Sequence, residues 1–356
     1  MTRKPALLTQ ALAHFAISFI CFALLAGPFT SAAGGEEVPR WAGFVIFLLL
    51  SYGLRPFLGL VLDEYPRLPT QTAGCLTVAV SCLLADPMPW FSLFLAGIGY
   101  ALFLTAAGGE SLAFARGHFL RNAAVVAPGM VGASFGAYFG RGFFSPWIFG
   151  GLLLLCSVAC FFFAMARKYP RRIRSFRHST ARRMPAWGIL ALTAVPAFSI
   201  SLVRSLLPVT EFNGALSLLP SLLYGVGILG GGILADRFGP RRVAVLGFCI
   251  ALPLLTVFTH IPWLFCLGLV ALFLPTSVLF GGATAALPSH PHFVFGFYSA
   301  VMLLGSVPAL FTITVTGTVR TVAAVALILS VAVGQVLYTD YCKPSALIRP
   351  WEKGEK

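Results

Sequence analysis

Four ionisable side chains interrupt or border long apolar stretches of this sequence, where a charge is costly and marks a candidate pathway. His14 lies about a third of the way into the first stretch, Glu110 closes the fourth, Arg204 lies in the outer part of the seventh, and Glu211 follows just beyond it. Each type implies a chemistry. An imidazole titrates near neutral pH, so His14 is a candidate proton carrier. Burial raises a carboxyl pKa, so Glu110 is a candidate for binding and releasing a proton. A guanidinium holds anions, so Arg204 is a candidate for an anionic group. The same residues have plainer readings: His14 bonded to a backbone carbonyl, Glu110 paired with Arg116 or Arg121, Arg204 snorkelling to the surface. Glu211 reads best as a solvated loop residue.

Hydroxyls on the same stretches, Tyr100 and Thr105 on the fourth and Thr276, Ser277 and Thr284 on the tenth, either orient a solute or bond back to their own helix. The remaining residues of these stretches are apolar and rich in phenylalanine, which suits an amphiphilic or aromatic solute better than a sugar. His290-Pro291-His292 supplies two imidazoles without an acidic or thiol neighbour, a poor metal site. The cysteines form no C-x-x-C pair and mostly lie inside apolar blocks, as small buried hydrophobes do. No metal or other cofactor is expected. The phosphate loop G-x-x-x-x-G-K-[ST] is absent and no nucleophile–base–carboxylate pattern stands out, so neither ATP hydrolysis nor another enzyme activity is expected.

The elements that must position these residues follow from composition. Hydrophobic residues make up 58% of the 356 and charged residues 10%, against about 25% charged in soluble domains. One soluble core of this size could not bury so much apolar surface, whereas lipid can cover it. Blocks of about 20 apolar residues suit the hydrocarbon thickness of a bilayer. Helices are then the only option for spans of this length, because every backbone polar group needs a partner within its own segment. The spacing predicts twelve spans: 6–28, 42–62, 70–86, 90–110, 122–141 and 146–166, then 186–207, 215–235, 242–259, 262–286, 293–312 and 320–338. The first exceeds the roughly 7–15 apolar residues of a signal core and is expected to be retained.

The net charge of +14 does not imply nucleic acid, since the basic residues sit between apolar blocks with no aromatic-studded basic face. With the N-terminus in the cytoplasm, 21 of the 25 Lys and Arg, Arg55 among them, fall in cytoplasmic segments or span ends, leaving Arg40, Arg141, Arg204 and Arg320 toward the far side. That bias predicts both termini inside. The domains expected are a six-helix bundle over 1–166, a basic cytoplasmic linker over 167–185 suited to anionic lipid headgroups, a second bundle over 186–342 and a tail over 343–356.

The halves repeat. Gly59-Leu60-Val61-Leu62-Asp63 after the second span and Gly232-Ile233-Leu234-Ala235-Asp236 after the eighth both read G-x-x-x-D, 173 residues apart (232 minus 59). Ala-Leu-Phe-Leu occurs at 101–104 and again at 271–274. Parallel repeats about an axis along the membrane normal are a transporter architecture.

Gly232 to Arg242 resembles the loop signature of the major facilitator superfamily, G-x-x-x-D-R-x-G-R-R, with Pro240 inserted before the arginines. The first copy departs from it, with Glu64 in place of Arg and Pro66 in place of Gly. Gly97-Ile98-Gly99-Tyr100-Ala101-Leu102-Phe103 and Ala13-His14-Phe15 resemble the fosmidomycin-resistance-like branch of drug exporters, although its first-helix aspartate is absent, with Ser18 nearby, and Leu104-Thr105 replaces its His-Pro. The resemblance implies an all-α membrane fold of two pseudo-symmetric six-helix bundles with helices one, four, seven and ten around a central cavity. It implies a gating role for Asp236, Arg237, Gly239 and Arg241, and for Asp63 with its degraded motif. Gly132, Gly136 and Gly140 repeat every four residues on one helix face, which permits close, slidable packing. With Pro128-Gly129 they resemble the fifth helix of family antiporters.

The function expected is alternating-access secondary transport of a small organic solute, as proton-coupled efflux. A gradient-driven or facilitated uptake carrier and a non-transporting receptor or accessory protein with the same fold stay open. The chain is expected to be a monomer in the plasma membrane, with lipid, a solute and protons as its partners.

Overall fold

The computed structural model describes residues 3–32, 37–66, 68–115, 118–166, 185–207, 214–310 and 316–340. The predicted basic linker, apart from its last residue, and Glu211, Arg116 and the C-terminal tail lie outside them. The described residues form twelve helical spans and no strand.

In the first half, α1 runs Arg3–Leu24 and continues through a π turn, Leu25–Phe29, to Ala32. Helix α2 comprises Glu37–Leu48, a second π turn Leu49–Gly53, and Arg55–Glu64. Then follow α3 (Thr70–Leu83), α4 (Pro89–Ala115), α5 (Phe119–Phe139) and α6 (Pro146–Ala166). In the second half, α7 is Ala186–Leu206, and α8 is Leu219–Phe238 after a short 3-10 turn at Gly214–Leu218. Helix α9 is Pro240–Thr256, and α10 is Pro262–Phe273 and Thr276–Ala286 with a break at Leu274-Pro275. Helices α11 (Pro291–Leu310) and α12 (Thr316–Asp340) close the chain. Proline opens α4, α6, α9, α10 and α11, where its missing N–H is not needed. Among the described residues nine of these elements are long and apolar enough to cross a bilayer. Length, apolarity and the lipid-facing Trp, Phe and Leu side chains make this an integral membrane protein.

Missing side chains set the packing inside each half. A Cβ on Gly132, Gly136 or Gly140 would overlap the α1 backbone at Phe15, Phe19 and Ala23 in turn, so α5 lies directly on α1 along the predicted face. In the second half Gly227 and Gly231 of α8 meet the backbone of α10 at Val270 and Leu274, next to its break. The halves touch through α2 against α11, α5 against α8, and α4 against α11.

Two boundaries differ from expectation in ways that matter. Helix α4 runs five residues past Glu110 (115 minus 110), so that carboxylate lies inside the helix and is buried. Arg55, expected as a charge at a cytoplasmic span end, is buried at 2% exposure, eight residues before Asp63 (63 minus 55). At 1.5 Å per residue, it lies about 12 Å up the helix from the loop. The π turn before it absorbs an extra residue, and Pro56 falls in the first turn after it, so the span continues past Gly53 and Pro56 as the predicted range 42–62 has it.

Candidate functional site

The two G-x-x-x-D turns hold the halves together on the face where the chain's N-terminus begins. Asp63, at the end of α2, accepts hydrogen bonds from the backbone N–H groups of His292 (3.0 Å) and Phe293 (2.9 Å), and from His292 Nδ1 (2.8 Å). These are the first N–H groups of α11, so the carboxylate caps a positive helix end. Asp236, at the end of α8, accepts from the N–H groups of Phe119 (2.8 Å) and Leu120 (3.2 Å) at the start of α5. His118 Nδ1 stands 3.9 Å from it.

The glycines explain the approach. A Cβ on Gly59 would fall 2.6 Å from the His292 carbonyl and Phe293 Cα, and one on Gly232 would fall 2.9 Å from Leu120 Cα. Gly239 has a positive φ of 91°, which lets α8 turn into α9 in a single residue. The two latches are thus related by the internal repeat, α2 to α11 and α8 to α5. Their receiving ends repeat as well: His118-Phe119 and His292-Phe293 stand 174 apart (292 minus 118).

Three expectations about these turns change. The degraded first copy makes the more complete latch, with three bonds and a carboxylate side chain at 4% exposure against 22% for Asp236. The arginines do not join the latch. Arg237 is exposed, and Arg241 donates to Gln335 of α12 at 2.7 Å, within its own half. His292, set aside as a poor metal ligand, is the ring that completes the Asp63 contact, while His290 Nδ1 meets Ser289 Oγ at 2.6 Å. The repeated His-Phe dipeptide was the available signal.

Deeper in the first half, Glu110 Oε2 accepts from Gln10 Nε2 of α1 (2.7 Å) and Gln71 Nε2 of α3 (2.8 Å). Both glutamines are buried. His14 Nδ1 donates to the Val125 carbonyl of α5 at 2.5 Å, and its ring fills the space left by Gly129. Tyr100 lies on α4 and meets Ser18 of α1 at 3.0 Å between the two hydroxyls. Thr105 and Thr284 bond back to Ala101 and Phe280 of their own helices. Thr276 and Ser277, the first residues after the α10 break, keep buried hydroxyls without a hydrogen-bond partner. Arg204 is half-buried in the last turn of α7.

Sequence reasoning missed Arg55. Its guanidinium sits 4.0 Å from the centre of the Tyr52 ring and 5.4 Å from that of Tyr100. Nη1 donates to Ser299 Oγ of α11 at 3.0 Å, across the junction of the halves. The arrangement thus presents a buried carboxylate at Glu110, a buried guanidinium at Arg55, and carboxylate bonds to two helix ends that join the halves.

No family model matches the sequence, and no curated protein matches it. Solved structures match its fold. The major facilitator superfamily transporter FucP in the outward conformation aligns at TM-score 0.65 and 15% identity, over 93% of this chain and 98% of that one. The human organic anion transporter MFSD10 aligns at 0.65 and 14%, over 95% and 100%. A bacterial homologue of the iron transporter ferroportin in an outward-facing state aligns at 0.64 and 15%, over 93% and 98%. The chain has the fold of major facilitator transporters along essentially its whole length.

Proposed function

We propose that the chain is a secondary transporter that carries a small organic solute across the plasma membrane by alternating access, exporting it in exchange for protons. The observation that carries this reading is the pair of latches. A structure meant only to stay shut would bury apolar surface between its halves. Here two carboxylates hold backbone N–H groups at two helix ends, in equivalent places, by contacts that separate without unfolding either bundle. With both closed, the N-terminal face is shut. If the basic bias places that face in the cytoplasm, the solute path opens to the far side. Loss of both latches and rocking of the halves then opens it inward.

Glu110 is the proposed proton carrier. It is buried, it lies in the half that packs against α11, and its carboxylate accepts from the amides of Gln10 and Gln71. His14 is the second candidate, on α1, with its Nδ1 committed to Val125 and Nε2 left as the site for a proton. The reading takes the chain as a monomer with both termini cytoplasmic.

The test is transport by the purified protein in proteoliposomes with an imposed pH gradient. Solute flux should follow the gradient in wild type, and Glu110→Gln should uncouple the two while exchange of solute continues. If no gradient changes flux and Glu110→Gln leaves transport intact, proton coupling is wrong. Flux in right-side-out vesicles fixes the direction.

A further inference from the structure

A buried guanidinium without a carboxylate is an expensive object inside a membrane protein. Arg55 is one. It is 2% exposed, and among the described residues no carboxylate pairs with it. Among the described residues its contacts include the two tyrosine rings and the bond from Nη1 to Ser299. Nε and Nη2 are buried and have no hydrogen-bond partner among the described residues. Those two nitrogens form one edge of the guanidinium, the edge whose parallel N–H groups match the two oxygens of a carboxylate.

The surroundings describe the rest of a ligand. Tyr100 stacks on Phe47 with 6.0 Å between ring centres and meets Phe22 edge-on at 6.4 Å. Tyr52 flanks the guanidinium from the other side. The group stands on α2 and α4 of one half and, through Ser299, on α11 of the other, where the halves meet and about 12 Å from the loop face. A midplane position between repeats is where transporters of this architecture bind.

We propose that Arg55 is the anchor of a binding site for an organic anion, taking a carboxylate bidentately on Nε and Nη2, with the aromatic rings beside it receiving the anion's apolar body. This rests on the transporter reading and names the class of its solute. The remaining bond, Nη1 to Ser299, spans the halves, so the site changes shape as they rock and a bound anion sees a different pocket in each state.

The experiment is thermal stabilisation and calorimetric titration of the full-length purified protein with matched pairs of probes: benzoate and benzamide, hexanoate and hexanamide, with inorganic phosphate alongside. A carboxylate should raise the melting temperature and its carboxamide should not. Arg55→Met, which removes an uncompensated buried charge, should melt no lower than wild type without ligand and should lose the carboxylate shift. Arg55→Lys keeps the charge but lacks the two-donor edge, and should bind about tenfold more weakly.

The proposal is overturned if no carboxylate stabilises more than its amide, if Arg55→Met keeps the shift, or if Arg55→Lys binds as tightly as wild type. Arg55→Lys decides the matter if Arg55→Met fails to fold. A response to phosphate equal to that of the carboxylates would make the site one for inorganic anions and would also overturn it. Carboxylate binding without counterflow in proteoliposomes would sink the transport reading and keep the anion site. Counterflow of a neutral solute, unchanged by Arg55→Met, would keep transport and sink the anion site.

Discussion

A carboxylate oxygen that accepts two buried amide protons has two separable properties, its charge and its acceptor capacity. Glu110 Oε2 shows both, with Gln10 and Gln71 donating to it. Glu110→Gln keeps a carbonyl oxygen able to accept from the two amides, so the fold should lose less than with Glu110→Ala. Glu110→Ala leaves two buried donors unsatisfied and should cost about 2–6 kcal/mol, since each orphan costs about 1–3. Melting of the two variants in one detergent checks the order. The residue was visible in the sequence because a lone Glu stands in an apolar run. Its partners were not, because Gln10 and Gln71 lie on other helices, 100 and 39 residues away. Arg55 was hidden for another reason. The predicted span 42–62 runs through it, but counting it with the basic residues at cytoplasmic span ends passes over its depth, seven residues inside that end (62 minus 55).

At the scale of the element, the fit of α5 on α1 depends on three absent side chains. Gly132, Gly136 and Gly140 repeat every four residues, and each meets a backbone atom of α1 at the same interval, Phe15, Phe19 and Ala23. This periodicity was legible from the sequence because helical spacing alone puts the three on one face. Which helix lies against them was not, since any neighbour with a smooth surface satisfies the pattern. Gly136→Ala should force the helices apart and cost about 1–3 kcal/mol, as overpacking does. Gly151→Ala on the exposed face of α6, where a Cβ meets nothing within 4 Å, should cost nothing and stabilise by up to about 1 kcal/mol through helix propensity. Parallel melts of the two alanine variants make the comparison.

The same scale holds an inequality between the latches. Asp63 makes three bonds and is the more deeply buried carboxylate, while Asp236 makes two and is partly open to solvent. Charge-assisted bonds weaken with solvent exposure, so Asp63→Ala should open the N-terminal face more than Asp236→Ala does. The loop signature suggested the opposite, because a consensus scores residue types along one segment and the strength of a latch resides in what the segment meets. His292 supplies that difference, and it belongs to another helix in the other half.

For the whole molecule, two latches on one face would make a joint lock if the two halves rock as bodies, and two independent locks if they do not. The six-plus-six order and the repeat were readable from apolar blocks and the G-x-x-x-D pair. The closure of one face was not, because it is a relation between halves that every span prediction leaves free. If the halves move as bodies, breaking one latch leaves the other holding much of the same closed state, and the second loss then releases it. The effects of Asp63→Ala and Asp236→Ala should therefore combine non-additively, with a coupling of about 0.5–3 kcal/mol. Ala123 reports on this. It is fully buried where Gly232 of α8 packs on α5, with 2.8 Å from a Cβ on that glycine to the Ala123 Cβ. In a background with the native cysteines replaced, Ala123→Cys should react slowly with a membrane-impermeant maleimide when both aspartates are present. Each single substitution should raise the rate modestly, and the double should exceed the product of the two by about twofold to about 150-fold, the range that coupling converts to. A double variant whose rate equals the product of the singles would mean that each latch opens its own corner and that the halves do not rock as bodies.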